Sequence, residues 1–299
     1  SILNGIHRYA AQHHVNIAHF IAFGGILGNP KYDQGEYNIF ELPNFSLFDG
    51  AILLSNTFSD ELANAVAEKI RAAGIPAVSI DREMDGLYYI GIRNASAMEQ
   101  ITRHLIEQHG VRRLNFISGP DTNSENIERF NTFKKVLDEY DIPLEPERIY
   151  HGTFRGKDGR RAIEAFMNSP LEFPQAIVCA NDAMAISAML KLEENGIHCP
   201  EDVLVSGFDN ISQAQHFAPT LTSVERPLFA AGERAMEMLC SGTATNGAAV
   251  MMQTSPFFAA SCGCTGTSAD PPAQFKRERF RQMEQIAADP RLCSRLSCS

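Results

Sequence analysis

The sequence predicts an α/β protein made of two lobes, each a doubly wound parallel sheet covered by helices. Three observations predict it. Short β-rich runs alternate with amphipathic helical stretches almost throughout, as expected when successive parallel strands are joined by helical crossovers. The same rhythm starts again beyond Gly119-Pro120, which points to two similar halves rather than one large sheet. The 299 residues suffice for both, at roughly 150 residues per domain.

The elements follow in order. Residues 1–13 read as a helix with Ile2, Ile6 and Tyr9 on one face, and the runs 15–23 and 49–55 (DGAILLS) as strands. The stretch 59–73 has a serine N-cap, helical periodicity and a closing Gly74, a start and a stop with known backbone chemistry. Strands at 77–81 and 88–92 and a helix at 95–109 ending on Gly110 come next. Then follow a strand at 113–118 and a helix at 125–140 with Phe130, Phe133, Val136 and Leu137 on one side. The second half repeats the pattern: strand 148–154, helix 159–167, strand 176–180, helix 183–195, strand 203–208, helix 228–239 and a last strand pair near 250–260. Beyond Thr265 the composition shifts to GTSADPPA, a linker, and then to FKRERFRQMEQIAA, a basic helix with Phe280, Met283 and Ala287 at helical spacing. Because the chain opens on a helix where such folds open on a strand, a first strand is expected upstream of residue 1.

Composition removes several function classes. A formal net charge of −10 disfavours a broad nucleic-acid footprint, which clustered Lys and Arg would supply; DNA is expected as a partner only through a separate module. No apolar run approaches the roughly 20 residues of a membrane span, and no secretory leader is visible. Seven irregularly spaced cysteines suit free thiols in a reducing compartment better than a disulfide framework, so the expected location is the cytoplasm. There is no G-x-S-x-G, P-loop, H-E-x-x-H or strand-linked G-x-G-x-x-G motif, so neither a catalytic residue nor a cofactor is expected. Gly24-Gly25 with Gly28 reads as a turn. His13-His14 ends a helix, where it can serve the dipole. Cys262-Gly-Cys264 lacks a second ligand pair at zinc spacing, so no metal is expected there and packed small residues are the simpler reading.

In open parallel sheets ligands bind beyond the carboxyl ends of the strands. That rule selects Asp81-Arg82, Phe154-Arg155, Asn181-Asp182 and Asp209-Asn210. Carboxylate, amide and guanidinium groups together can grip hydroxyls, with an aromatic face beneath an apolar ring face. Asn181 and Asp182 equally suit capping of the helix that follows them. Arg129 lies on the first half of an amphipathic helix, where solvation is the ordinary fate of an arginine.

The ordered series NGIHRYA near the start, SIDRE at 79–83, ERFNTFKKVL at 128–137, CANDAMAISAM at 179–189 and VSGFDN at 205–210 resembles the LacI/GalR-type regulators, over residues 1 to about 264. That resemblance implies the type I periplasmic-binding-protein fold, with two lobes joined by a three-strand hinge. It implies a first lobe of 1–120 plus 225–250, a second of 121–224 plus 251–264, and a tail at 265–299. Carried onto this sequence, the family's ligand contacts fall on Asp81, Arg82, Arg129, Phe154, Asn181, Asp182 and Asp209. Thr132 stands where the family usually has glycine, which bears on the placement of Arg129. The expected function is a non-catalytic sensor that closes on a small polar, sugar- or nucleoside-like ligand and works as a homodimer through the first lobe. FFAASCGC followed by a charged helix is similar to sensor modules fused to GGDEF diguanylate cyclases, the alternative output. A transport solute-binding protein and an enzyme on an α/β scaffold are further readings, the first disfavoured by the cysteines and the second by the missing motifs.

Overall fold

The computed structural model describes residues 1–22, 35–55, 59–242 and 249–264. They divide into two compact units, Ser1–Arg93 with Pro227–Gln253, and Asn94–Arg226 with the segment from Thr254 onward. The chain therefore passes between units three times.

The first unit holds a four-stranded parallel sheet, β1 (Ala51–Leu54), β2 (Ala77–Ile80), β3 (Tyr88–Arg93) and β9 (Ala249–Gln253), in that spatial order. Helix α1 (Ile2–His13) is capped by the Ser1 hydroxyl and ends on His14 in the left-handed region, with φ 56°. Helix α2 (Asp60–Ala73) is capped by Ser59, and Gly74 at φ 72° closes it, as the sequence signals require. Helix α8 (Leu228–Cys240) packs against α1 through glycines on both sides. A Cβ on Gly5 would lie 2.0 Å from the Phe229 carbonyl oxygen, and one on Gly232 2.1 Å from that of Ile2. The apolar interior of this unit is divided among three clusters, around α2 and β1, around β2, β3 and α8, and around α1 and Met236.

The second unit holds the sheet β5-β4-β6-β7, also parallel, built from β5 (Ile149–His151), β4 (Leu114–Ser118), β6 (Ala176–Cys179) and β7 (Leu204–Ser206). A small antiparallel pair joins β8 (Ser223–Glu225) to β10 (Ser255–Phe257). Its helices are α3 (Ala95–His109), α4 (Ser124–Glu139), α5 (Gly156–Met167), α6 (Asp182–Glu194) and the short α7 (Ser212–His216). One continuous apolar core runs through the unit, and β4 and β6 are buried along their whole length. Strands buried on both faces read as unbroken apolar runs, as AIVC does; LNFIS buries Asn115 and Ser118 as well.

Four sequence expectations change. Residues 15–22 form no strand: their alternation is met by packing, Val15 and Ile17 on the α1 cluster and Phe20 and Ala22 on the α2 cluster, without ladder partners among the described residues. The chain first leaves the first unit after Arg93 rather than at residue 120, because β4 takes β5 and β6 as its neighbours and so belongs to the second sheet. The strand expected at 148–154 shrinks to Ile149–His151, since Arg148 completes a 3-10 turn and Gly152–Arg155 fold over Asp158. The terminal strand pair separates, β9 completing the first sheet and β10 joining the second unit. The Gly24-Gly25-Gly28 turn and the linker and basic helix beyond Thr265 lie outside the described residues.

Candidate functional site

The second unit gathers charged side chains where α4 begins and where β7 and β8 end. Arg129, expected on a helix surface if merely solvated, is 1% exposed. Its Nη1 donates to the Ala180 carbonyl at 2.7 Å, and Nη2 and Nε donate to Asn94 Oδ1 at 3.0 and 3.3 Å. The guanidinium lies over the Phe208 ring, 3.8 Å from its centroid, a stacking arrangement suited to arginine's planar, weakly hydrated cation. Arg129 Nη2 stands 3.7 Å from Asp209 Oδ1 and 3.6 Å from Glu125 Oε2. Arg226 completes the group, with Nη1 donating to Asp209 at 3.3 Å and Nη2 to Glu125 at 2.5 Å. Two cations and two carboxylates thus compensate one another in a partly dry setting, where an unpaired charge would be costly.

Thr132 does not displace Arg129: its hydroxyl donates to the Glu128 carbonyl at 2.7 Å, one turn back along α4. Glu128 in turn accepts the Ala95 N–H at 3.1 Å and the Asn94 amide at 3.0 Å. Asn94 looks like a cap from its position before α3, yet its side chain makes no cap bond and serves Arg129 instead. Glu128 takes over the cap.

Asp209 follows β7 with φ 109°, its N–H donating to the Val224 carbonyl at 3.1 Å. Such backbone in a non-glycine residue costs on the order of 1–3 kcal/mol and persists where the surroundings over-determine it. Burial pushes the Asp209 carboxyl above the ordinary carboxylate range, while Arg129 and Arg226 pull it back down. Its side chain keeps 23% of its surface exposed, so it can still receive a partner. Neighbouring Asn210, at φ 46°, has a buried Oδ1 that accepts no hydrogen bond.

The A-N-D residues divide. Asn181 caps α6 by accepting the Met184 N–H at 3.0 Å, and its amide donates to the Phe154 carbonyl at 3.0 Å. Asp182 has no exposed surface; its oxygens accept the Ser223 hydroxyl at 2.6 Å and the Ile211 N–H at 2.8 Å. Burial is the main reason its carboxyl is pushed up to about 7, against the lowering effect of those bonds. Asp182 thus braces the turn that presents Asp209 and Asn210. Phe154 sits at φ 63° in a loop tied down by Asp158, which accepts the Thr153 N–H at 2.6 Å and hydroxyl at 2.7 Å. Its ring lies where a Cβ on Gly119 would be, 2.3 Å away, so only glycine lets the ring rest on the end of β4.

In the first unit, Asp81 follows β2 at φ 73°, its N–H donating to the Ile90 carbonyl at 2.9 Å. The Ser79 hydroxyl donates to the Arg82 carbonyl at 2.6 Å and lies 2.8 Å from the Ser55 hydroxyl, which donates to the Ile80 carbonyl at 2.7 Å. A buried hydroxyl pair therefore shapes the turn that carries Asp81 and Arg82, both half-buried.

The structure brings Arg129, Asp209, Asn181, Asp182 and Phe154 into one unit and leaves Asp81 and Arg82 in the other. Sequence reasoning missed Arg226, Glu125, Asn94 and Glu128. Glu125 carried a signal, four residues ahead of Arg129 on one helix face. Arg226 carried none, because β8, the strand before it, spans only three residues.

Two parallel-sheet units crossed three times by the chain, with polar groups collected at strand ends, define a ligand-binding type of α/β protein. The chain belongs to the periplasmic binding protein-like domain family, which matches residues 102–256. Among characterised relatives it is 32% identical, over 193 residues, to the HTH-type transcriptional repressor PurR of Vibrio atlanticus, covering 64% of this chain and 56% of that one. The chain spans about half the length of the curated relatives it matches. Among solved structures it is similar to a LacI family transcriptional regulator from Mycobacterium smegmatis, with a TM-score of 0.73 and 21% identity over 87% of this chain and 92% of that one. It is also similar to a LacI family regulator from Enterococcus faecium with bound ribose, with a TM-score of 0.70 and 19% identity over 87% and 92%. The likeness to LacI/GalR-type regulators expected from the motifs thus holds, as does the fold class.

Proposed function

We propose that the chain is the ligand-sensing part of a LacI/GalR-type transcriptional regulator, binding a small polar, sugar-like molecule and making or breaking no covalent bond. The observation that carries this reading is Asp209, a partly exposed carboxylate held at a strained φ between two arginines. Asp81 repeats the same device, an acidic residue in the left-handed region at a strand end. Rigid, pre-oriented carboxylates beside guanidinium donors suit paired ligand hydroxyls, since little ordering remains to be done on binding. Phe154 offers an aromatic face, and Asn181 and Asp182 hold the frame around it. The ribose bound to the Enterococcus relative is in keeping with such a ligand.

The signal is a population shift: a ligand favours the conformation that it binds more tightly, by its differential affinity. DNA is reached through a module outside these residues, as the helix-turn-helix named for the repressor relatives suggests. Those relatives favour transcription over a fused cyclase as the output. A homodimer and a cytoplasmic location complete the proposal. No helix among the described residues is long and apolar enough to cross a membrane, and the five described cysteines are free thiols.

Thermal melting against ribose, other pentoses, hexoses, cellobiose and nucleosides tests this reading. A true ligand at 100 times its Kd stabilises by about 2.7 kcal/mol. Asp209→Ala should lose that shift while keeping its fold, because ligand hydroxyls left unpaired cost about 1–3 kcal/mol. A panel that leaves melting unchanged overturns the sensor reading, and an undiminished shift in Asp209→Ala removes Asp209 from the site.

A further inference from the structure

Away from the charged cluster, four metal-ligating side chains meet on the second unit: His104 and His109 of α3, and Cys262 and Cys264 from the turn after β10. All four ligand atoms lie within 4.8 Å of one another. The sequence pattern alone gave Cys262-Gly-Cys264 no second ligand pair; the fold supplies one from more than 150 residues earlier in the chain.

Four of the six separations between ligand atoms suit a tetrahedron. With metal–nitrogen bonds of roughly 2.0–2.1 Å and metal–sulfur bonds of about 2.3 Å, a four-coordinate zinc site has edges of about 3.3 Å between nitrogens, about 3.6 Å between nitrogen and sulfur and about 3.8 Å between sulfurs. His104 Nε2 and His109 Nε2 are 3.1 Å apart. The nitrogen–sulfur separations are 3.3 Å for His104 with Cys264, 3.7 Å for His104 with Cys262 and 3.7 Å for His109 with Cys264. These four separations are within a few tenths of an ångström of the ideal edges, and the other two are no longer than 4.8 Å.

Local structure points these groups at one spot. His109 is the last residue of α3, and Gly110 closes the helix at φ 65°. The His104 ring is stacked on Phe258, centroids 4.0 Å apart, which fixes its plane. Gly263, at φ 84°, turns the chain sharply between the two cysteines. Cys262 is buried and the other three are half-buried, so an ion has an approach from solvent and a closed inner side. Two thiols and two imidazoles make a soft-to-borderline S2N2 set, which in tetrahedral form selects zinc over calcium or magnesium.

We propose that His104, His109, Cys262 and Cys264 bind one zinc(II) ion as a structural site. Four protein ligands leave no open position for a substrate, so the ion acts as a clip, fastening the turn after β10 to the end of α3 just ahead of the segment that begins at Thr265. Both thiols release their protons on coordination. The family match ends at residue 256, so the two cysteines lie outside what it covers. This proposal does not depend on the ligand-sensing one.

The test is zinc titration of the reduced full chain against a chromophoric chelator, together with cobalt(II) substitution. The expected result is one ion per chain and the intense visible bands of tetrahedral cobalt with thiolate charge transfer. Cys264→Ser and His109→Ala should each weaken zinc by more than about 100-fold, since even outer-shell partners of a metal cost 10–100-fold. Cys293→Ser with Cys298→Ser should leave it unchanged. Circular dichroism of each variant confirms that it is folded. Binding no tighter than in a Cys262→Ser/Cys264→Ser variant, an octahedral cobalt spectrum, or loss of the ion on removing Cys293 and Cys298 would each overturn the proposal.

Discussion

The two units solve one architectural problem with different interiors. Each is a four-stranded parallel sheet with helices, yet the second has one continuous core and buries a network of charges, while the first is divided among three apolar clusters and buries a hydroxyl pair. Arginine shows the contrast best. Arg129 in the second unit is buried among four acceptor groups. Arg8 in the first unit pairs with Glu233 at 2.7 Å and lies over Phe229, but its side chain is 55% exposed. The same residue type is structural framework in one place and surface trim in the other.

Substitution at these arginines should separate the units most. Arg129→Met leaves Asp209 and Glu125 with less compensation and the Ala180 carbonyl without its donor, for an expected loss of about 3–5 kcal/mol. Arg8→Met should cost less than about 1 kcal/mol, as exposed pairs do. Hydrogen exchange resolved by peptide measures both, and similar losses at the two sites would dissolve the contrast.

Helix packing gives the next effect. The first unit uses reciprocal glycines, Gly5 and Gly232, whereas the second relies on Gly159, where a Cβ would lie 2.1 Å from the Met184 carbonyl oxygen. Gly232→Ala and Gly159→Ala should each destabilise their own unit by about 1–3 kcal/mol through overpacking, despite alanine's better helix propensity. Gly232→Ala should leave exchange in α5 and α6 untouched.

The last effect is a pH slope confined to the second unit. The Asp182 carboxyl titrates near 7 when folded and near 3.8 as an ordinary aspartate. Between those values the folded state holds the extra proton, so the stability contributed by this carboxyl is greatest below about pH 4 and falls as pH rises towards 7. One proton gives at most about 1.4 kcal/mol per pH unit. Asp182→Asn should remove that component, whatever its absolute stability, as read from denaturant unfolding at several pH values. An unchanged slope would assign the effect elsewhere.

Much of the fold was legible because it is local. Ser59 and Gly74 bracket α2, Gly110 closes α3, and the apolar run of β6 announces a strand buried on both faces. The run 15–22 misled because alternation reports which side chains are buried and not whether the backbone finds a ladder. In the candidate site, the strand-end rule and the family resemblance reached Asp81, Asp209 and Arg129. They left capping and ligand contact equally open for Asn181 and Asp182; Asn181 caps α6, and Asp182 braces the turn before α7.

By itself the sequence determined the alternation of elements, the helix ends and the acidic residues placed after strands, since each depends on neighbours within a turn or two. Only the tertiary structure decided where the chain passes between units, that Arg226 and Glu125 share charge across 101 positions, and that two histidines meet two cysteines across 158. Those outcomes depend on which strands become neighbours, and a strand's own pattern records its burial without recording its partner.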